Sequence, residues 1–266
     1  MRELLQPCWL QSQCPEVPEL LAKVRDRPYQ CDLVLEVCKQ LADDAKVEGL
    51  VIAPCGIGKS ICFTAILNKK APGHAIVFMP LLQLITQVSE VFEDNRDAGY
   101  PFEIVVISSD TGSTNAEKIV EQARKAEADG KKVLILCTYR SAPVAMQYAE
   151  IMKAADEKWR FGIVCCDEAH NISRRGNSEY ANAARVCLDI PCQHRIYLTA
   201  TPTVELKKDI AADRILYQMS WEEAIRGGCI VPLRLCGLCI KTELPSALAD
   251  GDVDRDAQVP RLPSSD

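Results

Sequence analysis

Histidine is scarce in this 266-residue chain: there are three, His74, His170 and His194. A histidine-built metal site or nucleophile triad therefore has little to draw on. Positive charge is also in deficit. The formal net charge is −6, so any grip on a polyanion must come from local placement of donors, not from a basic molecule as a whole. No apolar run approaches the roughly 18 residues needed to cross a bilayer. The segment from Met1 to Trp9 carries Arg2 and Glu3 with no long apolar stretch behind them, unlike a secretory signal. These features predict an intracellular protein, nuclear or cytoplasmic, neither secreted nor in a membrane. The 14 cysteines make up about 5% of the chain, below the roughly 8–10% of short disulfide scaffolds. Several lie in apolar runs such as Val164-Cys165-Cys166, the pattern of reduced, buried thiols. No internal repeat or low-complexity tract is present. What remains, 48% hydrophobic and 26% charged residues, is globular composition, and the length suits one large α/β domain.

Residues 1–25, with Pro7, Pro15 and Pro18, read as an irregular lead-in with a single helical turn near 18–24. From Arg27 onward, short runs rich in Val and Ile alternate with longer amphipathic segments. That rhythm predicts repeated βαβ units around a mostly parallel central sheet flanked by helices. Strands are expected at 49–53, 75–79, 103–107, 132–137, 162–166 and 195–198. Helices are expected at 58–68, 82–94, 114–129, 143–158 and 178–188. One domain then covers 26–235, and a further apolar run at 233–240 follows Val231-Pro232. The tail, 236–266, is Asp-, Pro- and Ser-rich from 244 onward and is expected to be disordered.

Ala53-Pro54-Cys55-Gly56-Ile57-Gly58-Lys59-Ser60 leaves an apolar strand and enters a helical segment. It fits the P-loop in spelling and in context, with Ala in place of the first Gly. Gly56 and Gly58 let the backbone turn so that successive N–H groups surround phosphate oxygens at a helix N-terminus. Lys59 would supply a point charge to the β- and γ-phosphates, and the Ser60 hydroxyl would complete a Mg²⁺ shell. The plainer reading is a Gly-rich βα turn without a ligand. Cys55 lies inside the loop, where a reactive thiol and a merely tolerated residue are the two readings.

Farther along, Gly162-Ile163-Val164-Cys165-Cys166 ends in Asp167-Glu168-Ala169-His170. Two carboxylates thus fall at the carboxyl edge of the sheet, where open α/β folds bind ligands. Asp167 would hold Mg²⁺, and Glu168 would orient or deprotonate the water that attacks the γ-phosphate. A solvated Asp-Glu pair capping the next helix is the alternative. His170 alone fits a structural histidine.

Together with Leu198-Thr199-Ala200-Thr201-Pro202, these segments resemble motifs I, II and III of superfamily 2 helicases and translocases, in the same order. Arg27-Pro28-Tyr29-Gln30 is similar to the adenine-reading element of that family, which implies roles for Arg27 and Gln30 at the base. Val77-Phe78-Met79-Pro80 with Leu84 and Gln87 resembles motif Ia. Thr138-Tyr139-Arg140-Ser141 resembles a strand-end motif that touches the nucleic-acid backbone. Ala224-Ile225, Gly228 and Val231-Pro232 resemble the end of the first motor domain in the branch of type III restriction subunits and XPB-like repair helicases. The likeness runs from about Arg27 to Leu235. It implies a RecA-like domain with ATP and Mg²⁺ as cofactors and DNA or RNA as partner. The strand ending at Thr199 would lie between the P-loop strand and the Asp167 strand. Catalytic roles fall to Lys59, Asp167, Glu168 and His170, and nucleotide contacts to Pro54, Cys55, Gly56, Ile57, Gly58, Lys59 and Ser60. His170, against Thr199, Ala200 and Thr201, would couple nucleotide state to a nucleic-acid surface at Pro80, Gln87, Thr138 and Arg140.

Such helicases use two RecA-like domains, the second supplying an arginine finger. After Val231-Pro232 about 34 residues follow, against the roughly 100 a second domain needs. The resemblance therefore implies a chain that binds ATP–Mg²⁺, hydrolyses it slowly and does not unwind duplexes alone, with another chain supplying the missing half. A non-enzymatic truncated isoform or adaptor, and a P-loop ATPase of another branch, stand beside it. Arg174-Arg175 and Arg226 read as surface charges. Cys236-Gly237-Leu238-Cys239, with Cys229 nearby, has zinc-ligand spacing but no second pair.

Overall fold

Strands that are apolar along their whole length, and so on both faces, are stable only when covered on both sides, and the segments expected as strands are of that kind. The structure is a computed structural model that describes residues 27–41, 46–93, 102–109, 112–173, 178–210 and 214–232. Seven strands form one sheet: β1 (Val47–Ile52), β2 (His74–Met79), β3 (Phe102–Ile107), β4 (Lys132–Thr138), β5 (Phe161–Cys166), β6 (Cys192–Thr199) and β7 (Ile215–Gln218). Every pairing is parallel, in the order β3-β4-β2-β5-β6-β1-β7. As the sequence implies, β6 separates β5 from β1.

Eight α-helices accompany them among the described residues: α1 (Pro28–Gln40), α2 (Lys59–Lys70), α3 (Leu82–Glu93), α4 (Ala116–Ala128), α5 (Ala142–Ala155), α6 (Glu179–Arg185), α7 (Val204–Asp209) and α8 (Trp221–Arg226). The period-2 pleat sends neighbouring strand residues to opposite sides. Val77, Leu134, Ile163 and Cys165 join a core with α1, α2 and α3. Ile76, Ile135, Val164 and Cys166 join a second core with α4, α5 and α6. The expected α/β architecture, a RecA-like sheet between two helical layers, is what is found.

The differences have local causes. The segment expected as one helix at 178–188 begins with Ser178 accepting the Ala181 N–H, runs as α6 and then tightens into a 3₁₀ turn, Val186–Leu188, a usual way to finish a helix. Helix α1 was not expected. Pro28 stands in its first turn, where a missing N–H is harmless, and its buried stripe, Cys31, Val34 and Cys38 beside Leu33 and Val37, uses cysteines as small hydrophobes. The edge strand β7 and the helices α7 and α8 are each only four to six residues long. Helix α8 nonetheless carries a readable signal, the capping box of Ser220 with Glu223. The expected lead-in at 1–25, its turn at 18–24, the run at 233–240 and the tail at 236–266 lie outside the described residues. Contacts divide the chain between Val231 and Pro232. Among the described residues no helix is long and apolar enough to cross a membrane.

At the amino edge of the sheet a polar chain runs from the exposed Glu127 inward to His74 and Tyr148, which are buried among aromatic rings. His74 Nε2 lies 2.8 Å from Glu127 Oε1, and its Nδ1 lies 2.7 Å from the Tyr148 hydroxyl. Trp159 meets the imidazole edge-on at 5.5 Å. A carboxylate only accepts, so Nε2 carries the proton and Tyr148 donates to Nδ1. Burial pulls His74 below its ordinary 6.5 despite the opposing pull of Glu127. His194 is lowered too, by burial and then by Arg160 and Lys70. The unfolded chain therefore binds protons more readily than the fold as pH drops through this range, and stability is lost on acidification. Asp167, raised to about 6 by burial, works the other way, so the comparison is made in Asp167→Asn, where denaturation curves are expected to show a lower midpoint at pH 5.5 than at pH 8. Tyr148→Phe, which leaves Nδ1 without a donor, is expected to cost about 1–3 kcal/mol, and an unchanged midpoint would remove the polar chain from the stability account.

Candidate nucleotide and nucleic-acid site

In a parallel sheet every strand ends on the same edge, so whatever follows the strands is gathered there by topology alone. Crossing from β4 through β2, β5 and β6 to β1, the carboxyl ends deliver Thr138, Pro80, Asp167-Glu168, Thr199-Ala200-Thr201 and the loop from Ala53. Segments up to 146 residues apart in sequence become neighbours.

The loop from Pro54 to Gly58 leaves β1 and opens α2. Gly56 and Gly58 have φ of 87° and 84°, a left-handed backbone in which L side chains are strained. Gly58 is needed for a second reason, because any Cβ there would strike the Gln30 amide. Ile57 is fully buried and anchors the loop, while Cys55 is exposed. Lys59 is 8% exposed. Its ammonium donates to the carbonyls of Ala53 and Pro54, each at 3.4 Å, and lies 3.8 Å from Glu168 Oε1. Ser60 follows in the first turn of α2.

Gln30 is wholly buried and donates from Nε2 to the Ile57 carbonyl at 2.6 Å. Its Oε1 is buried without a partner. Arg27, exposed, caps α1 just ahead of it. The element expected to read adenine thus also braces the phosphate loop from α1.

Asp167 is held from three sides. Its N–H donates to the Phe78 carbonyl at 2.9 Å, its carbonyl accepts the Tyr139 hydroxyl at 2.9 Å, and its Oδ1 accepts the Glu168 N–H at 3.0 Å. Burial and then the Glu168 charge push its pKa up to about 6, against the opposing pull of Lys59. A buried carboxylate so placed is a site where a cation restores the ionised form. Glu168 has φ 47° and ψ 51°, and it is the sole described non-glycine residue with positive φ. Its carboxylate faces Lys59 on one oxygen and His170 Nδ1, at 3.5 Å, on the other. His170 Nδ1 also lies 3.3 Å from Thr199 Oγ1, which accepts the Thr201 N–H at 3.1 Å. An unbroken polar line joins Lys59, Glu168, His170, Thr199 and Thr201.

Cys55, Pro80, Leu81, Leu84, Glu168, His170, Asn171, Tyr180, Ala200 and Thr201 line a cleft of about 480 Å³. A larger hollow of about 610 Å³, between the start of α4 and α5, contains none of the expected residues. Gln87 is exposed on α3. Thr138, bonded to the Ser141 hydroxyl, and exposed Arg140 stand two strands over, at the end of β4. Arg226 pairs with Glu222 on α8. Arg174-Arg175 and the Cys236/Cys239 pair lie outside the described residues. Among the described residues no three His, Cys, Asp or Glu side chains converge on one point.

Sequence reasoning overlooked Tyr139, Asn171 and Tyr180. Tyr139 was readable as a buried ring with a polar tip that must find a partner; Asn171 and Tyr180 carry no comparable signal.

Residues 23–204, about two thirds of the chain, match the family described as ResIII, type III restriction enzyme, res subunit. Among curated proteins none matches significantly. Of solved structures, a nuclease-deletion mutant of the Type ISP restriction-modification enzyme LlaGI in complex with a DNA substrate mimic is similar at 21% identity and a TM-score of 0.58. The match covers 76% of this chain and 18% of that one. The Pyrococcus furiosus Hef helicase domain is similar at 18% identity and a TM-score of 0.44, over 71% of this chain and 37% of that one. A hypothetical ATP-dependent RNA helicase from Sulfolobus tokodaii is similar at 16% identity and a TM-score of 0.44, over 68% of this chain and 48% of that one. The chain thus spans less than half the length of each of these three structures. It belongs to the family of the type III restriction enzyme res subunit, and its described body has a RecA-like α/β fold.

Proposed function

We propose that the chain is the first motor domain of a nucleic-acid helicase or translocase, binding ATP with Mg²⁺ and the backbone of DNA or RNA. The observation that supports this most is the polar line from Lys59 through Glu168 and His170 to Thr199 and Thr201. It ties the phosphate loop to the cleft on the same sheet edge.

The residues fit the groups they would hold. Ser60 and Asp167 would hold Mg²⁺, matching an ion that takes one or two protein oxygens and completes its shell from phosphates and water. Bound there, Mg²⁺ would neutralise charge on the β- and γ-phosphates. Loop N–H groups between Pro54 and Ser60 would cradle the phosphates, and Lys59 would trade its two loop carbonyls for phosphate oxygens. Glu168 would orient the attacking water and take its proton. The unpaired Gln30 Oε1 would accept from an exocyclic amino group such as that of adenine. Pro80, Gln87, Thr138 and Arg140 would touch the nucleic-acid backbone, giving sequence-tolerant, salt-sensitive binding. The DNA substrate mimic in the LlaGI structure favours such a partner. Turnover would be slow without a second RecA-like domain, because an arginine finger is worth roughly 10³–10⁵ in rate.

Titration with a fluorescent ATP analogue and Mg²⁺ tests this. Lys59→Ala is expected to weaken binding at least about tenfold. Glu168→Gln is expected to bind as wild type does while turnover falls about 10²–10⁴-fold. Equal, negligible binding by all three proteins would sink the proposal. Asp167→Asn separates stability from function: at pH 8 without nucleotide it is expected to raise stability by about 1–3 kcal/mol, since the buried ionised carboxylate is replaced by a neutral isostere. The same variant is expected to lose the Mg²⁺ dependence of nucleotide binding.

A further inference from the structure

The geometry points to Asn171 as a positioning residue that fixes the tautomer of His170 and pins the backbone of Glu168. Asn171 is 3% exposed and ends the 3₁₀ turn that follows Glu168, Ala169–Asn171. Its Nδ2 donates to the Glu168 carbonyl at 2.8 Å, and its backbone N–H donates to the same oxygen at 3.0 Å. Two donors on one carbonyl hold the left-handed Glu168 in a conformation that a non-glycine residue adopts at a cost.

That bond also settles which way the amide faces. A carbonyl oxygen only accepts, so the group on Glu168 must be the NH₂, and its second hydrogen is left for His170 Nε2, 3.4 Å away. Nε2 then presents its lone pair. The proton of the neutral ring sits on Nδ1, which faces one pure acceptor, Glu168 Oε2 at 3.5 Å, beside the Thr199 hydroxyl at 3.3 Å, a group that can accept or donate. With the other tautomer, Nε2–H would oppose the Asn171 NH₂ and the Nδ1 lone pair would oppose the Glu168 carboxylate; the Thr199 hydroxyl fits either form, so the choice rests on Asn171 and Glu168. Asn171 Oδ1, buried and without a partner, is the cost of aiming the amide this way. Asn171 thus touches neither Lys59 nor the loop, yet it sets the direction of the line that leads from Glu168 to Thr199. What that direction does for the motor rests on the ATP-driven function proposed above; the tautomer itself does not.

Two-bond ¹H–¹⁵N correlation spectra of the ¹⁵N-labelled full chain read the tautomer directly, and with three histidines the His170 signals are those lost in His170→Asn. Wild type is expected to show the Nδ1–H form. Asn171→Asp, which turns an acceptor toward Nε2, is expected to invert it to Nε2–H. Should the Asp variant fail to fold, Asn171→Ala is expected to show the Nε2–H form alongside the Nδ1–H form. An Nε2–H ring in wild type, or the wild-type pattern in both folded variants, overturns the assignment. Nucleic-acid-stimulated ATP turnover supplies the second arm. Asn171→Ala is expected to lower kcat about ten- to hundredfold with KM for ATP within about twofold of wild type. A changed tautomer with unchanged kcat would overturn the positioning role. A wild-type chain that binds no ATP while showing the expected tautomers would instead remove the motor function and leave the local assignment standing.

Discussion

The register of a parallel sheet governs what this molecule can do. Five adjacent strands, β4, β2, β5, β6 and β1, all point one way, so the segments that follow them must share an edge. No loop has to travel far to reach the site. The phosphate loop, the acid pair and the Thr199-Ala200-Thr201 segment are each only the first residues after a buried strand, and the two cores that flank the sheet hold those strand ends in place. The placement of the chemistry is therefore inherited from the packing of Val, Ile, Leu and Cys, and a destabilised core would be felt first as a misaligned edge.

Within that edge the charges are arranged for a ligand more than for the fold. Lys59 is buried against carbonyls and a distant carboxylate oxygen. Asp167 is buried with its pKa pushed up, and Glu168 occupies a left-handed backbone conformation. Gln30 and Asn171 each bury an acceptor without a partner. Each feature costs stability in isolation. Local departures of this kind, gathered on one edge, fit the proposed site, although His194 Nδ1 and Arg195 Nε on β6 are also buried without partners.

Much of this was legible in the sequence, and the reasons are physical. The apolar runs at β2, β4 and β5 are continuous because both faces are covered, so their existence followed from those runs and their parallel direction from the alternation with helical segments. The order β5-β6-β1 followed from the resemblance carried by three motifs. Helix α1 escaped because its buried stripe uses Cys31 and Cys38 in place of aliphatics, and β7 escaped because four residues carry too little pattern. At the site, Lys59, Asp167 and Glu168 were found by spacing, and the contact of His170 with Thr199 was anticipated from the expected strand order. The double role of Gln30, the Tyr139 hydroxyl on Asp167 and the amide of Asn171 were not legible. Each depends on a hydrogen bond between residues whose proximity or orientation is set by tertiary structure.

The central claim is that the carboxyl edge holds a triphosphate and a divalent cation between the loop at Pro54–Ser60 and the acid pair. Anomalous diffraction from crystals of the chain grown with Mn²⁺ and a non-hydrolysable ATP analogue measures it most directly. The account expects one strong peak bounded by Ser60, Asp167 and the β- and γ-phosphates, with Lys59 drawn off the Ala53 and Pro54 carbonyls. Nucleotide seated elsewhere, or Mn²⁺ absent from Asp167 at saturating nucleotide, would contradict it.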